Sequence, residues 1–541
     1  MSAKKKTSSK TEPAIETEVK KDFSSIIALS ISGVFFLLGI FGIAHHEMWR
    51  DELQSWMVAT DAHSLLQLYK NCVYEGHPLL WYTLLFIINI FTNSPFSMQL
   101  LNLLIGTSFV YLFAKHAKFN LLQTLLFVFG YYTLFEYTLI ARPYNLELLL
   151  MAVFIILYKH PQKYILTIFT ILFLLANTSA FGLLFSICFA ALFYFEQFIS
   201  KNKRADSTIP VKKIVSGSVL FFVGIIFSII QIKPEQGNLV STDISSLFDI
   251  DKLATIFSRI YNAFFILPDL SLLPHWNFSG TMRLDSQNIP LYFIFSVIIL
   301  ILTSLTFYRK PILLVFYLLL TIGIIAICDL TFLLSIRYVG RVFIAFIITT
   351  WLANYFPSNQ FNNPVNNLLA NTGKKIQPLF ISIVLLFQLI AGAMYFYNDY
   401  KLPFSGSTET ADFIKQQKLD TLPVIGSQDY AVSPLSSLLY KKIFYPESQS
   451  YGSFIIWDNH LRKHQNPDFD IVFSSVDSVM GKQHKQAILI LNALPSGPEG
   501  KLEHAFITPT IKLDLIHQSE NSMVADEYYY VYLATKVNAL N

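Results

Sequence analysis

Apolar runs recur along the chain near 24–44, 98–115, 120–138, 143–159, 164–178, 180–198, 212–232, 290–307, 311–329, 338–356 and 377–397. Each is roughly 15 to 22 residues long, the length that carries an α-helix across a bilayer. A further stretch, 78–92 ("PLLWYTLLFIINIFT"), is shorter and begins with aromatics, as interfacial helices do. With that stretch on the outer surface and the lysine-rich N-terminus in the cytoplasm, the inner connections become "AKHAKF", "YKHPQKY", "SKNKRADSTIPVKK", "YRKP" and "NTGKK". All are basic, the bias that cytoplasmic loops carry. The pattern predicts a polytopic α-helical membrane protein of about eleven crossings, with a cytoplasmic N-terminus and an outer C-terminus.

That topology puts four pieces on the outer face: 45–97, the turn "FEYTLIARPYN", the loop 233–289, and everything after about 398. In the last piece the period of the apolar residues changes. "STETADFIKQQ" reads as a capped helix, "LPVIGSQD" and "QAILILNALP" as strands, and "EYYYVYLATKV" alternates as an edge or central strand. Residues 398–541 are thus expected to form a soluble α/β domain behind a transmembrane domain at 23–397. The polar, low-complexity residues 1–22 read as a disordered cytoplasmic tail. The apolar run that follows is too long for a cleavable signal and has no small-residue cleavage site.

Composition agrees: 53% of the 541 residues are hydrophobic and 14% charged, against about 25% charged in a soluble domain. A net charge of +4, with its positive part clustered, does not suggest a nucleic-acid partner. Three cysteines, all in the apolar part, imply no disulfide framework.

Charge is costly beside a bilayer unless something uses it, and the stretch "MWRDELQSWMVATD" puts Arg50, Asp51 and Glu52 there. Leu53, Trp56, Met57 and Thr60 fall at helical spacing, so an interfacial helix is expected. Two acids in its first turn also complement the helix dipole, which needs no function. "YEGHPLLWY" then adds Glu75 and His77, the latter also suited to the cap before Pro78. "FEYTLIARPYNLELLL" returns to the same side with Glu136, Arg142, Tyr144 and Glu147, and "ANTSAFG" with Asn177. Glu147, about a turn within the membrane, is either functional or an ion-pair partner of Arg142. "CDLTFLLSIRYVGRVF" brings Asp329, Arg337 and Arg341; Arg337 either snorkels or holds a phosphate bidentately. Distant spans thus deliver carboxylates, arginines and a histidine to one face. Glycosyl transfer from a sugar linked through phosphate to a membrane lipid wants such a set: a carboxylate base for the acceptor, and positive charge for the leaving phosphate.

These motifs resemble the GT-C superfamily, which includes protein O-mannosyltransferases and the lipid A aminoarabinose transferase. "WRDELQSW", "EGHPLLWY", "LLANTSAFG" and "RYVG" are similar to an uncharacterised bacterial branch of it, over roughly 20–200 and 330–355. The resemblance implies a polyprenyl-phosphate-sugar donor, a lipid, glycan or protein acceptor, an active site on the periplasmic face of the inner membrane and a trailing soluble domain. It maps the catalytic base or acceptor binder onto Asp51 and Glu52, the His-Pro stretch onto His77 and Pro78, and the Arg-x-Tyr turn onto Arg142 and Tyr144. Here Leu79 follows Pro78 where better-known members have a second proline, and Met98 and Gln99 stand where many place an arginine. The lipid phosphate then falls to Arg142 or Arg337.

On this reading Asp51 is the base, Glu52 supports the acceptor or an ion, Arg142 and Arg337 neutralise the leaving phosphate, and His77 assists. Tyr144, Glu75 and Glu147 complete the candidate site. No certain cofactor is implied. Asp51, Glu52, Glu75 and His77 offer ligands for a divalent cation, without a diagnostic spacing. A transporter or flippase of lipid-linked sugars is the competing class. It would place charges near the midplane and in repeat-related halves, and no such repeat is visible.

Overall fold

The computed structural model describes residues 12–199, 209–233, 249–266, 276, 288–331, 335–495 and 505–537. Among them, eight helices are long and apolar enough to cross a membrane: Ser24–Ile43, Phe96–His116, Ala180–Phe198, Val211–Ile232, Ile289–Phe307, Pro311–Thr331, Ile336–Tyr355 and Pro364–Lys401. Outward apolar residues such as Leu37, Val219, Ile322 and Leu379 are exposed, as lipid-facing positions are.

The expected eleven crossings need correction. All eleven segments are helical, but Pro161–Ala176 is short, and Leu121–Leu139 with Tyr144–Tyr158 forms one pair bent by 119°, so the described residues hold eight or nine candidate crossings. The bend has a local cause. Residues Tyr131–Leu139 are wound as a π-helix, and the chain then leaves helical geometry until Tyr144. Freed backbone groups at membrane depth must find other partners. Asn102 supplies them, its Nδ2 donating to the carbonyls of Tyr137 (2.8 Å), Thr138 (2.9 Å) and Ile140 (3.3 Å). The Ala141 N–H is accepted by Glu52 Oε1 at 2.6 Å. Gly106 permits this close approach, because a Cβ there would lie 2.6 Å from the Asn145 amide and 2.8 Å from the Thr138 hydroxyl.

The first crossing extends back to Glu12, inside the segment expected to be disordered, and residues 1–11 lie outside the described ones. The ambiguous stretch forms a helix at Leu80–Asn89, ten residues long and therefore about 15 Å, half a bilayer core. Arg50–Thr60 forms the expected helix beside it. Much of the loop 233–289 falls outside the described residues; within it stand the helix Ile250–Phe264 and Trp276.

Beyond Lys401 lies a mixed seven-stranded sheet. Its strands are β1 (Val424–Gly426), β2 (Ile443–Tyr445), β3 (Ser450–Gly452), β4 (Gln486–Leu491), β5 (Ala505–Ile507), β6 (Ile511–Gln518) and β7 (Tyr530–Lys536), ordered β3-β2-β1-β4-β7-β6-β5. β1 is parallel to β2 and β4, and the other pairs are antiparallel. Strand alternation explains the layers. Val424, Ile488, Ile490 and Val531 pack on one face with Ile414 of the helix Ser407–Gln416. Ile425, Leu489, Leu491 and Tyr532 pack on the other with Val472 and Val476 of the helix Phe469–Met480. The three strands and the helix expected from sequence are present, and β7 is central. β2, β3, β5 and β6 were not anticipated; three of these are only three residues long, too short for an alternation signal.

Candidate functional site

The three charges of "RDE" do three different things. Arg50 reaches the sheet domain: its Nη1 lies 2.8 Å from Asp526 Oδ2 and its N–H donates to Glu527 Oε1 at 3.1 Å. Gln54, one turn on, forms a two-way bond with the Ile455 backbone, Nε2 to O at 2.8 Å and N to Oε1 at 3.0 Å. The sheet domain is thereby pinned to the interfacial helix.

Glu52 turns inward and is fully buried. Its Oε2 lies 3.1 Å from His46 Nε2, while His46 Nδ1 lies 2.9 Å from Asp399 at the end of the last crossing. Burial alone would lower the His46 pKa; Asp399 and Glu52 outweigh it and raise it to about 10. Glu52 therefore ties the first crossing, the last crossing and the bend at Ala141 together, and does not line the cavity that Asp51 faces. Because His46 titrates above its free value of 6.5, its contribution to stability is complete below that pH and lost as pH rises through about 10. Thermal unfolding in detergent should show the chain weakening over pH 7–10. His46→Ala should reduce that dependence, most clearly above pH 8, and cost about 3–5 kcal/mol by leaving two buried carboxylates without their cation.

Asp51 faces a cavity of about 150 Å³, lined also by Arg50, Gln54, Glu75, His77, Arg142 and Tyr338, and closed by Tyr430, Ser433, Ile455 and Trp457 of the sheet domain. Its carboxylate is partly exposed and lies 3.2 Å from Arg337 Nη1. Burial would raise its pKa, but Arg142 and Arg337 prevail and hold it below the usual carboxylate range. Arg142, at the bend before Pro143, donates from Nη1 to the Asp51 carbonyl (2.5 Å) and the Ser55 hydroxyl (3.2 Å). Its Nη2 approaches His77 Nε2 at 3.5 Å, and its buried Nε has no partner among the described residues. His77 stands after Gly76, whose φ of +64° suits glycine and turns the chain tightly. Burial and the neighbouring Arg142 depress the His77 pKa to about 3, so the ring is neutral. With Arg142 donating to Nε2, the proton sits on Nδ1, which is buried with no partner among the described residues. Glu75 accepts from Gln54 (2.7 Å) and Tyr82 (3.1 Å), yet burial pushes it up to about 7.

Arg337 is fully buried, its guanidinium 4.8 Å from the Trp49 ring and 4.9 Å from that of Trp276, with Nε 3.9 Å from Glu136 Oε1. The opposite carboxyl oxygen of Glu136 accepts from Tyr131 (2.6 Å) and the Trp276 indole (3.2 Å). Contact with two indole rings favours arginine over lysine.

Two candidates stand apart from the cavity. Glu147 pairs with Arg341 at 3.3 Å, not with Arg142. Tyr144 lies under the Arg341 guanidinium at 4.5 Å with its hydroxyl buried. This is a buried brace, since Arg341 Nη1 also donates to the Arg337 carbonyl at 2.9 Å. Glu147→Ala should cost about 3–5 kcal/mol, whereas Glu147→Leu with Arg341→Met should cost much less, measured by thermal unfolding. Asn177 bonds to backbone carbonyls of Phe173 and Gly224, and Asp329 faces Lys252 at 3.5 Å. Among the described residues no three His, Cys, Asp or Glu side chains group to hold a metal ion. The set Asp51, Glu52, Glu75 and His77 fails as a ligand cluster because Glu52 is held away by His46.

Trp276, Gln54 and the sheet-domain residues Tyr430 and Trp457 escaped the sequence reading. Trp276, one of the chain's six tryptophans, lies in a long loop and carried no further signal. A larger cavity, about 500 Å³, lies among Leu192, Phe195, Phe316 and Leu319; it is mostly apolar, and its Glu196 is bonded to Tyr158 at 2.5 Å.

The chain is a polytopic helical membrane protein whose C-terminal mixed-sheet domain closes a charged cavity at one end of the helices. Its fold is that of ArnT from Cupriavidus metallidurans. The crystal structure of that protein bound to undecaprenyl phosphate matches with a TM-score of 0.50, and the apo structure with 0.51. Each is 11% identical, over 93% of this chain and 97% of the other. No family model and no curated protein sequence matches the chain.

Proposed function

We propose that the chain is a GT-C-type glycosyltransferase that moves a sugar from a polyprenyl-phosphate donor to an acceptor hydroxyl at the periplasmic face of the inner membrane. The observation that carries this reading is the meeting of an ionised Asp51 with Arg142, which lines the same cavity, and with Arg337, buried and 3.2 Å from the Asp51 carboxylate, residues drawn from three distant parts of the chain. The ArnT-like fold supports it, since that protein was crystallised with undecaprenyl phosphate.

In the reaction, Asp51 takes the proton of the acceptor hydroxyl as its oxygen bonds to the anomeric carbon. The bond from that carbon to the phosphate oxygen breaks, and its electron pair leaves on the polyprenyl phosphate. Direct displacement inverts the anomeric centre. The developing phosphate charge is met by Arg142, whose Nε is available, and by Arg337. His77 stays neutral and offers Nδ1–H as a hydrogen-bond donor, not as a cation. Glu52 serves by holding the Asp51 helix against the bend. The cavity lies at one end of the helices beside a soluble domain, a placement that favours transfer over transport.

Purified full-length chain in liposomes should form a new glycosidic bond from mannosyl- or glucosyl-phosphate polyprenol and a membrane extract as acceptor. Native mass spectrometry should show bound undecaprenyl phosphate, with affinity about ten- to a hundredfold lower in Arg142→Ala, the value of one or two charge-assisted hydrogen bonds. Translocation of the lipid-linked sugar with no glycosidic bond formed would overturn the proposal.

A further inference from the structure

A second cavity, about 310 Å³, opens where the far end of the helix Arg50–Thr60 and the end of the helix Leu80–Asn89 meet the sheet domain. Its volume is within the range of ligand pockets, about 300–1,000 Å³. It lies on the same side of the molecule as Asp51, and the Asp51–Thr60 stretch of helix that joins the two spans about 14 Å. Trp56 and Met57 form an apolar floor, and Asn89, Asn93 and Ser437 present neutral polar groups. The Asn89 Oδ1 is buried with no hydrogen-bond partner among the described residues. Tyr440 stands at the rim, 69% exposed, on a backbone with φ of +52° that side chains rarely adopt. Lys415 sits 5.6 Å over its ring.

The charges of this cavity are engaged with each other or with the backbone. Lys442 faces Asp61 at 3.6 Å, Asp61 also accepts from Ser453, and Lys441 donates to the carbonyls of Asp420 and Leu422. The lining contains no arginine. Such a surface does not suit a phosphate, which calls for free cationic forks. It suits a molecule rich in hydroxyls with an apolar ring face.

We infer that this cavity binds a saccharide, and that the saccharide is the acceptor glycan whose terminal hydroxyl reaches Asp51. The second half rests on the transfer reading above; the first does not. The site thus assigns glycan, rather than lipid phosphate or protein, as the acceptor class.

The test uses full-length chain in detergent on an array of immobilised neutral and charged oligosaccharides, followed by titration with the strongest binder. The wild type should bind, and Asn89→Ala and Tyr440→Ala should each weaken binding at least about tenfold, the value of one buried hydrogen bond to a ligand. Undecaprenyl phosphate affinity of Asn89→Ala in the same preparation should stay within twofold, which shows that the fold and the donor cavity are intact. Retention of no oligosaccharide, binding indifferent to both substitutions, or displacement of the glycan by a serine-rich peptide would overturn the inference. Glycan binding in a chain that transfers no sugar would leave the saccharide site standing and refute the transfer reading alone.

Discussion

Asp51→Asn should lower sugar transfer by about 10²–10⁴-fold, the usual contribution of a positioned general base, with thermal stability little changed. The side chain is partly exposed and its ion pair with Arg337, at 3.2 Å, can persist as a hydrogen bond to the Asn carbonyl. Burial opposes ionisation of Asp51, but Arg142 and Arg337 more than offset it. A base with a depressed pKa is deprotonated at every pH above about 4, so no acid limb from Asp51 should appear in the rate between pH 5 and 8. Donor bound at Arg142 and Arg337 would draw those cations towards the phosphate and restore basicity to Asp51 when the acceptor needs it. Transfer at the wild-type rate by a folded Asp51→Asn variant would remove Asp51 from the chemistry.

Arg337→Lys should lower kcat by about 10²–10³-fold, the loss seen when one donor to a developing charge is removed. The conservative change is the informative one. Arg337→Ala would leave Glu136 buried without its cation and should cost about 3–5 kcal/mol of stability, which confounds a rate measurement. Lysine keeps the charge beside Glu136, but it lacks the planar fork that rests against both Trp49 and Trp276 while pointing one nitrogen at Asp51. The loss should fall on kcat more than on KM for the donor, because the group acts on charge that grows during bond breaking. Equal kcat in the lysine variant, with unfolding unchanged, would reduce Arg337 to a structural cation.

The consecutive charges Arg50, Asp51 and Glu52 explain why residue type alone was a poor guide to role. Helical geometry separates neighbours by about 100°. Three adjacent side chains therefore point at the sheet domain, at the cavity and at the membrane bundle. Which points where depends on the rotation of the helix, and that is set by Gln54 docking on Ile455 and Glu52 docking on His46. The same holds for Glu147: its i+5 offset from Arg142 made a local pair plausible, yet the bend at Ile140–Pro143 leaves it facing Arg341.

Hydrophobic periodicity alone determined that this is a many-helix membrane protein with a C-terminal α/β sheet domain, because transfer of apolar side chains out of water is local and additive along the chain. Charge at the span ends predicts which side is cytoplasmic. Tertiary structure decided the rest. It bent the 121–158 region, since Asn102 and Glu52 accommodate the broken backbone from elsewhere in the chain. It placed Trp276 against Arg337 from a loop without pattern, and sorted Glu52, Tyr144 and Glu147 into braces while leaving Asp51, His77 and Arg142 to face the cavity. Apart from Glu52 with His46, those outcomes are pairings between residues tens to hundreds of positions apart, and no window read along one sequence contains both partners.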